Sequence, residues 1–264
     1  MKPVLALTGL TIAFCAFASA EHATGGRVVV PARDGSHPRV VKCSTMNGSI
    51  TVKTHAGTDV IVEDGSSRGP AGAPDGMKGI GMPPGAPEVT EEDGAIAVHD
   101  GLFGNGHLVI TVPSETSLRL HTLSGAIDVD GVHGEVDVRT LNGRITLTGI
   151  SGTVTADSQN GAIKVAMDRV DPGKPMAFSA FNGEVDLTFP PDLKANLTVK
   201  SYRGAVNNEF EVTADGHAAA EKDASPGPKH RAPGGNTIRG TVNGGGVNLT
   251  IRTFNGAVYI RKKK

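Results

Sequence analysis

Glycines recur every nine residues through the middle of the chain. The five that set this interval are Gly125, Gly134, Gly143, Gly152 and Gly161. A short fixed period indicates that one structural unit is stacked on copies of itself, so the repeat limits the possible folds before any side-chain chemistry is considered. Because the chain has 36 glycines and only 4% aromatic residues, a thin stacked core is favoured over a thick sandwich.

The complete repeat is twice as long as the glycine interval. Thr140–Leu147 matches Thr122–Val129, eighteen residues earlier, so nine residues make half of one coil. Asn-Gly tolerates positive φ, and we expect such pairs to turn the chain in each coil, with the asparagines stacked as an amide ladder. The predicted turn positions are Asn47, Gly48, Ser124, Gly125, Asn142, Gly143, Asn160, Gly161, Asn182, Gly183, Asn255 and Gly256.

Apolar residues alternate with polar ones after each turn, as in Ile127 and Val129. This period of two predicts strands with one face inward. Stacking of the coils then places four intervening residues in one exposed column of mixed charge: Asp128, Thr146, Lys164 and Asp186. The predicted fold class is all-β, a single-stranded parallel β-solenoid (β-helix) with long Gly/Pro-rich loop insertions.

Composition divides the chain into a leader, an extension and one β domain. Residues 1–20 have a basic start, an apolar run and the small-residue site Ala18-Ser19-Ala20, which is the layout of a secretory signal peptide. Residues 21–37 are assigned to an N-terminal extension and residues 38–264 to the solenoid domain. The Gly/Pro-rich stretches 66–94 and 215–235 are expected to be loops, and 168–175 is expected to lengthen a single coil.

The leader predicts an exported protein, located in the periplasm or at the cell surface. Its apolar run is shorter than the roughly 20 residues of a membrane span, and no other run follows, so no transmembrane segment is expected after signal removal. Acylation of Cys15 would need a small residue where Phe14 stands, so cleavage after Ala20 is preferred. Cys43 is then expected to be a small buried hydrophobe. The basic end 261–264 is expected to fray or to cap an open end of the stack.

The residues predict no catalytic, metal or cofactor site. With 26 basic and 27 acidic side chains, the chain is not expected to bind nucleic acid. The turns lack the recurring aspartates of calcium-binding nonapeptide repeats, although residues 128–131 could hold one ion. Glu135 and Asp137 share one strand face, but the next coil places threonines beside them, so no carboxylate cluster for acid–base chemistry builds up. The nine histidines show no metal-ligand spacing.

Several strings outside the loops carry a family resemblance. They are Leu108–Pro113 leading to Leu118–Gly125, then Phe181–Pro190 and Ile251–Ile260. With the Gly-x-Ile/Val-x-Val coils, they resemble the bacterial putative-adhesin family of domains of unknown function, between Val40 and Lys262. The resemblance implies a single-stranded parallel β-solenoid in an exported or envelope protein, and it supplies no catalytic residues.

The leading expectation is an exported, non-enzymatic adhesin-like β-solenoid that acts as an interaction or structural module of the cell envelope. Its partner would be an envelope protein or glycan, and it would need no cofactor. The alternative is a carbohydrate-active β-helix enzyme, either a polysaccharide lyase or a hydrolase. Three or more ionisable side chains converging in one cleft, and Asp/Glu columns beside a loop, would favour the enzyme. A purely structural envelope spacer is a third possibility.

Overall fold

The computed structural model describes residues 22–23, 27–32, 39–65, 87–92, 95–99, 106–214 and 236–264. The predicted leader 1–20 and the predicted loop 215–235 lie outside these ranges, as does most of 66–94. Every secondary-structure element within them is a β-strand, which confirms the all-β prediction. Accordingly, the described ranges contain no helix with the length and apolar character needed to cross a membrane.

In the described part of the chain, 21 strands belong to one sheet. The first eleven are β1 His22–Ala23, β2 Arg27–Val30, β3 Arg39–Asn47, β4 Ser49–His55, β5 Val60–Asp64, β6 Glu88–Glu92, β7 Ala95–His99, β8 His107–Pro113, β9 Thr116–Ser124, β10 Ile127–Asp130 and β11 His133–Asn142. The other ten are β12 Ile145–Asn160, β13 Ile163–Val170, β14 Met176–Asn182, β15 Val185–Phe189, β16 Ala195–Arg203, β17 Val206–Asn208, β18 Val212–Ala214, β19 Asn236–Val242, β20 Val247–Asn255 and β21 Val258–Lys262.

Each coil contributes one strand to each of two stacks, and the chain passes between the stacks at the Asn/Ser-Gly bends. The front stack runs, in spatial order, through β6, β7, β3, β9, β11, the second half of β12, β14, β20, β16, β19 and β18. The back stack runs through β1, β2, β5, β8, β4, β10, the first half of β12, β13, β15, β21 and β17.

The sheet is mixed. In the middle the strands are parallel, and Ile127 pairs with Ile145, eighteen residues later. Asn160 pairs with Asn182, twenty-two residues later, because the predicted insertion at 168–175 lengthens that coil. Three of the four stack ends are antiparallel, with β6 against β7, β5 against β8 and β19 against β16, whereas β17 ends the back stack parallel to β21. The prediction of a parallel sheet throughout is therefore corrected at the ends, where long connections allow the chain to reverse.

The coils are not stacked in chain order. The β3–β4 coil lies between the β7–β8 and β9–β10 coils, and the β20–β21 coil lies between the β14–β15 and β16–β17 coils. The C-terminal residues are consequently held inside the stack, where Arg261 Nε lies 2.9 Å from Asp186 and Lys263 Nζ 2.7 Å from Asp168. The expectation that residues 261–264 fray or cap an end was wrong.

Antiparallel strands terminate the front stack at both ends and the back stack at its β1 end, and the parallel strand β17 terminates the other end of the back stack. β2 lies within the stretch assigned to the N-terminal extension, and β6 lies within the stretch assigned to the first loop. Val28 and Val30 of β2 are buried, at 2% and 4% exposure, because they continue the inward column of the back stack. Such short, reversed strands leave little exposed edge for association with another chain.

The backbone of the neighbouring coil comes so close to each turn glycine that no side chain fits there. A Cβ added to Gly143 would lie 1.8 Å from the carbonyl oxygen of Gly125, and one added to Gly161 would lie 1.8 Å from that of Gly143. The same contact recurs at Gly48, Gly125, Gly183, Gly204 and Gly256, at 1.8–2.1 Å. Positive φ, which the sequence suggested for all the turns, occurs in this set at Gly48 and Gly125 alone. Crowding between coils, more than backbone conformation, therefore requires glycine here.

Buried hydroxyl groups bond the crowded carbonyls. Thr122 Oγ1 donates to Gly48 O at 3.3 Å, and Ser158 Oγ donates to Gly143 O at 3.1 Å. Thr153 differs, because its Oγ1 is buried and has no hydrogen-bond partner among the described residues. The remaining interior is a narrow aliphatic core that includes Cys43, 2% exposed, as predicted.

Replacing Gly143 with alanine should lower the free energy of unfolding by about 3 kcal/mol, because the new methyl group meets backbone that cannot rotate away. Gly173→Ala is the matched control, since its nearest atom, Asp171 Oδ1, is 3.4 Å away. That variant should stay within about 0.5 kcal/mol of the wild type. Urea unfolding of the full chain measures both, and equal midpoints for the two variants would contradict the crowding argument.

Replacement of threonine with valine should have different effects on stability at two buried positions. Thr122→Val removes a hydrogen bond to a crowded carbonyl and should lower the free energy of unfolding by about 1 kcal/mol. Thr153→Val removes an unpartnered hydroxyl and should leave stability unchanged or raise it by up to about 1 kcal/mol. Chemical unfolding curves compare the two. A Thr153→Val variant less stable than Thr122→Val would show that the Thr153 hydroxyl is satisfied in solution.

Candidate functional site

The outward side chains of the front stack form parallel columns, because alternate residues of each strand face solvent. One column contains Lys42, Arg119, Asp137 and Thr155, which are paired in register on successive strands. Two residues further along the same strands, a second column contains Ser44, His121, Arg139 and Asp157. A third column lies at the corner where the chain bends toward the back stack. The outer face of the front stack is the candidate functional site, because its first two columns are charged and its third column is apolar.

The corner column is apolar over almost its whole length. It consists of the residues that precede the turn Asn, Ser or Arg, and its members in spatial order are Met46, Leu123, Leu141, Gln159, Phe181, Phe254 and Tyr202. We call this column the corner ridge. Met46 is 71% exposed, Phe181 52% and Tyr202 51%. Seven strands about 4.8 Å apart give the ridge a length of roughly 29 Å.

Three aromatic rings of the corner ridge stack on one another. The rings of Phe181 and Phe254 are parallel within 3°, with centroids 4.8 Å apart. Tyr202 packs on Phe254 at 5.4 Å, tilted by 37°, and the Arg203 guanidinium lies 5.9 Å from the Phe254 centroid. Phe254 therefore has a ring on each side, while Phe181 and Tyr202 each have a ring on one side only.

An amide ladder borders the corner ridge. Asn160 donates to Asn142, Asn182 donates to Asn160, and Asn255 donates to Asn182, each at 2.9 Å between Nδ2 and Oδ1. The stacking expected from the repeated asparagines is thus present across four coils. The structure places the other predicted turn positions in the same line, with Asn47 paired to Ser124 and Ser124 paired to Asn142. Each amide keeps hydrogen-bonding capacity for a partner, because the ladder uses one donor and one acceptor lone pair.

A shallow cleft of about 510 Å³ opens on the charged columns. The ionisable side chains that line it are Lys42, His99, Arg119, His121, Asp137 and Arg139. We call it the cationic cleft. Arg139 donates to both carboxylate oxygens of Asp137 at 3.3 Å, so the one carboxylate among these residues is already paired.

Two cations of the cleft face each other across neighbouring strands. Lys42 of β3 pairs in register with Arg119 of β9, so their outward side chains start about one strand spacing apart. Neither forms an ion pair with a described carboxylate. Like charges placed directly opposite each other destabilise a sheet. On their other sides, Arg119 has Asp137 in register and Lys42 has Ala97, so Lys42 has no opposite charge directly beside it.

The remaining predicted columns lie away from this cleft. Asp128, Thr146, Lys164 and Asp186 form the predicted exposed column on the back stack. Asp128, considered as a calcium ligand with its neighbours, lies 3.7 Å from Arg144. Among the described residues, no group of three or more His, Cys, Asp or Glu side chains is arranged to hold a metal ion.

Enzyme-like pairings elsewhere are incomplete. Glu135 and Asp137 lie beside Thr153 and Thr155, as the sequence predicted. Glu135 is bound by Lys174 at 2.9 Å, and this hydrogen bond, with the charge of Glu135, raises the pKa of Lys174. On the back stack, His107 Nδ1 contacts Ser49 Oγ, but its Nε2 faces Thr51 Oγ1 at 3.4 Å rather than a carboxylate. A serine activated by histidine would need that carboxylate to orient the ring.

The inward alternation of apolar residues was predicted from the sequence, but the corner ridge and the cationic cleft were not. The ridge residues occupy the position before each predicted turn, so alignment of the turns would have shown that six of seven are apolar. The cationic cleft could not be predicted from the sequence for another reason. Lys42 and Arg119 are separated by an inserted segment of the chain, and nothing in the repeat tells which coils are neighbours.

Comparison with known proteins identifies a family. Residues 34–249 match the family model described as Toastrack DUF4097. A putative cell adhesion protein from Clostridium sporogenes ATCC 15579 is 13% identical, with 90% of this chain and 99% of that chain covered at a TM-score of 0.49. A putative adhesin from Bacteroides fragilis NCTC 9343 is 11% identical, with 90% and 97% covered at a TM-score of 0.38. No curated protein matches the chain.

Proposed function

The chain belongs to the Toastrack DUF4097 family of putative-adhesin domains, and we propose that it is an exported, non-enzymatic, adhesin-like interaction module of the cell envelope. The leader layout of residues 1–20 supports export to the periplasm or the cell surface. The single observation that carries the interaction function is the corner ridge. We propose that this ridge docks a protein of the envelope.

The corner ridge has the composition and setting of a protein interface. Exposed aromatic residues, methionine and arginine are enriched in such interfaces, and Phe181, Tyr202, Met46 and Arg203 supply all of these types. The asparagine ladder supplies a polar rim along one side. An apolar row of roughly 29 Å, interrupted at Gln159 and built on strands about 4.8 Å apart, is unusual on the surface of a monomer and points to a binding surface.

The ring geometry favours a protein over a neutral sugar at the corner ridge. A sugar ring packs against the open face of an aromatic side chain, whereas Phe254 has rings on both sides and covers one face of Phe181. The outward edges and the flanking aliphatic tips suit the apolar side chains of a protein partner. The partner is therefore expected to bring apolar anchors that seat beside Phe181 and Tyr202.

The enzyme alternative is weakened by the charges of the cationic cleft. Six ionisable side chains converge there, which meets the numerical criterion for a catalytic cleft. However, glycoside hydrolysis ordinarily uses two carboxyl groups, and Asp137 is the one carboxylate of the cleft and is bound by Arg139. No column of Asp or Glu accompanies it among the cleft-lining residues. Binding therefore fits these residues better than acid–base catalysis.

We further propose that the domain is a parallel β-solenoid with antiparallel ends. The eighteen-residue registers of the central coils support this assignment. The segment boundary at residue 20 and the loop at 215–235 are part of the same proposal, whereas β2 and β6 place strands of the sheet inside the stretches 21–37 and 66–94. In this arrangement the strands flanking the two loops lie at opposite ends of the stack. The central ridge coils thus lie between the loop-bearing ends.

Replacing the two most exposed aromatic residues of the ridge should weaken envelope binding. We expect Phe181→Ser combined with Tyr202→Ser to raise the dissociation constant for isolated cell envelopes at least tenfold, because central aromatic residues dominate interface energetics. Titration of fluorescently labelled protein measures this constant. Protease treatment of the envelopes should remove the binding site.

The matched control combines Ile238→Ser with Tyr259→Ser, which removes one aliphatic and one aromatic side chain outside the ridge and should leave binding unchanged. Undiminished binding by the ridge variant would refute the ridge as the docking surface. Binding that survives protease but is lost after glycan removal would replace the protein partner with a glycan. Turnover of any polysaccharide in a panel would favour the enzyme alternative.

A further inference from the structure

The outer face of the front stack carries a local excess of positive charge. Between β7 and β19, the two charged columns hold six basic and two acidic residues: Lys42, Arg119, Arg139, Lys200, Arg239 and Arg252 against Asp137 and Asp157. The whole chain has a net charge of −1, so this face is not a sample of the average surface. A one-sided cationic field attracts anionic ligands.

Two pairs of cations on this face lie directly opposite each other, which destabilises a sheet. Lys42 is directly opposite Arg119, and Lys200 is directly opposite Arg252. Asp137, in register with Arg119 on its other side, is already bound by Arg139, so an anionic ligand would supply the charge that Lys42 and Arg119 lack. The cationic cleft holds the first pair, and its volume of about 510 Å³ falls in the usual range for ligand sites.

We propose that the cationic cleft binds an acidic polysaccharide, a linear glycan bearing carboxylate or sulfate groups. Lys42 and Arg119 lie one strand spacing of about 4.8 Å apart, and Arg139 lies one strand further on in the second column, so the cleft presents three cations to successive acidic groups of a linear glycan. Arg119 and Arg139 can each hold a carboxylate or sulfate through two parallel hydrogen bonds, while Lys42 acts as a point charge. Asp137 positions the Arg139 guanidinium through its two hydrogen bonds.

Other polyanions fit the cleft less well. Single-stranded nucleic acids are held largely by bases stacked on aromatic side chains, and none of the residues lining the cleft is Phe, Tyr or Trp. A bilayer surface is flat or gently curved, so its headgroups would reach the rim of a concave cleft and not its floor. The glycan also differs from the partner proposed for the corner ridge, and it uses different side chains. Each proposal can therefore fail alone.

Fluorescence anisotropy with two labelled probes tests the proposal: a galacturonate decasaccharide, which carries carboxylates, and a heparin-derived decasaccharide, which carries sulfates as well. Wild-type protein should bind at least one of them, and the preferred probe identifies the anionic group. Lys42→Gln combined with Arg119→Gln should weaken that binding at least tenfold and reduce its salt dependence. The double variant relieves a repulsion, so it should unfold no earlier than the wild type.

The matched control is Lys53→Gln combined with Lys164→Gln, which removes two positive charges from the outer face of the back stack. It should change the dissociation constant less than twofold, and so should Phe181→Ser with Tyr202→Ser on the ridge. Equal weakening by the two charge variants would overturn the cleft as a specific site. Failure of the wild type to bind either probe would overturn it too, as would tighter cleft-dependent binding of a single-stranded oligodeoxynucleotide or of phosphatidylglycerol vesicles.

Discussion

The contact between glycine backbones at the front-to-back bends is the constraint on which the rest of the structure depends. At Gly143, the carbonyl of Gly125 occupies the space that a Cβ would need. The amide of Gly143 donates to Asn160 O of the following coil at 3.2 Å, and its carbonyl accepts the Ser158 hydroxyl. On the other side, the amide of Gly125 in the preceding coil donates to Asn142 O at 2.9 Å, so the bend is bonded to both neighbouring coils. This fixes the coil spacing, and the spacing allows the asparagine amides and the aromatic rings to stack.

The order of the coils is a separate property that the bends do not determine. Because every bend has nearly the same shape, any coil could in principle follow any other. The observed order places the first and last long coils one position inside each end, with reversed strands such as β6 and β18 outside them. The chain must therefore bring together segments far apart in sequence, which makes folding slower than for coils added in turn. In return, the last residues are held by Asp186 and Asp168.

Much of the fold, including the apolar residues of the corner ridge, could be predicted from local pattern, whereas the cationic cleft could not. The alternation at Ile127 and Val129 predicts strands and their inward face because burial selects apolar residues at every second position. The register of Asp128 with Thr146 follows from the repeat length alone. The pairing of Lys42 with Arg119 does not follow, since it depends on the out-of-order insertion of β3. Net charge was equally uninformative about the front face, because opposite charges elsewhere in the chain cancel its excess.

The corner column also shows how function can be separated from architecture in a repeat. Inward positions must be apolar because they fill the core, and the bend positions must be glycine because a neighbouring carbonyl fills the space. The corner position has neither requirement, as Gln159 shows by standing in the middle of the column without interrupting the stack. The fold therefore does not demand Phe181, Phe254 or Tyr202 at their positions. Exposed apolar side chains promote association, so their presence where polar residues fit equally well supports the proposed docking surface.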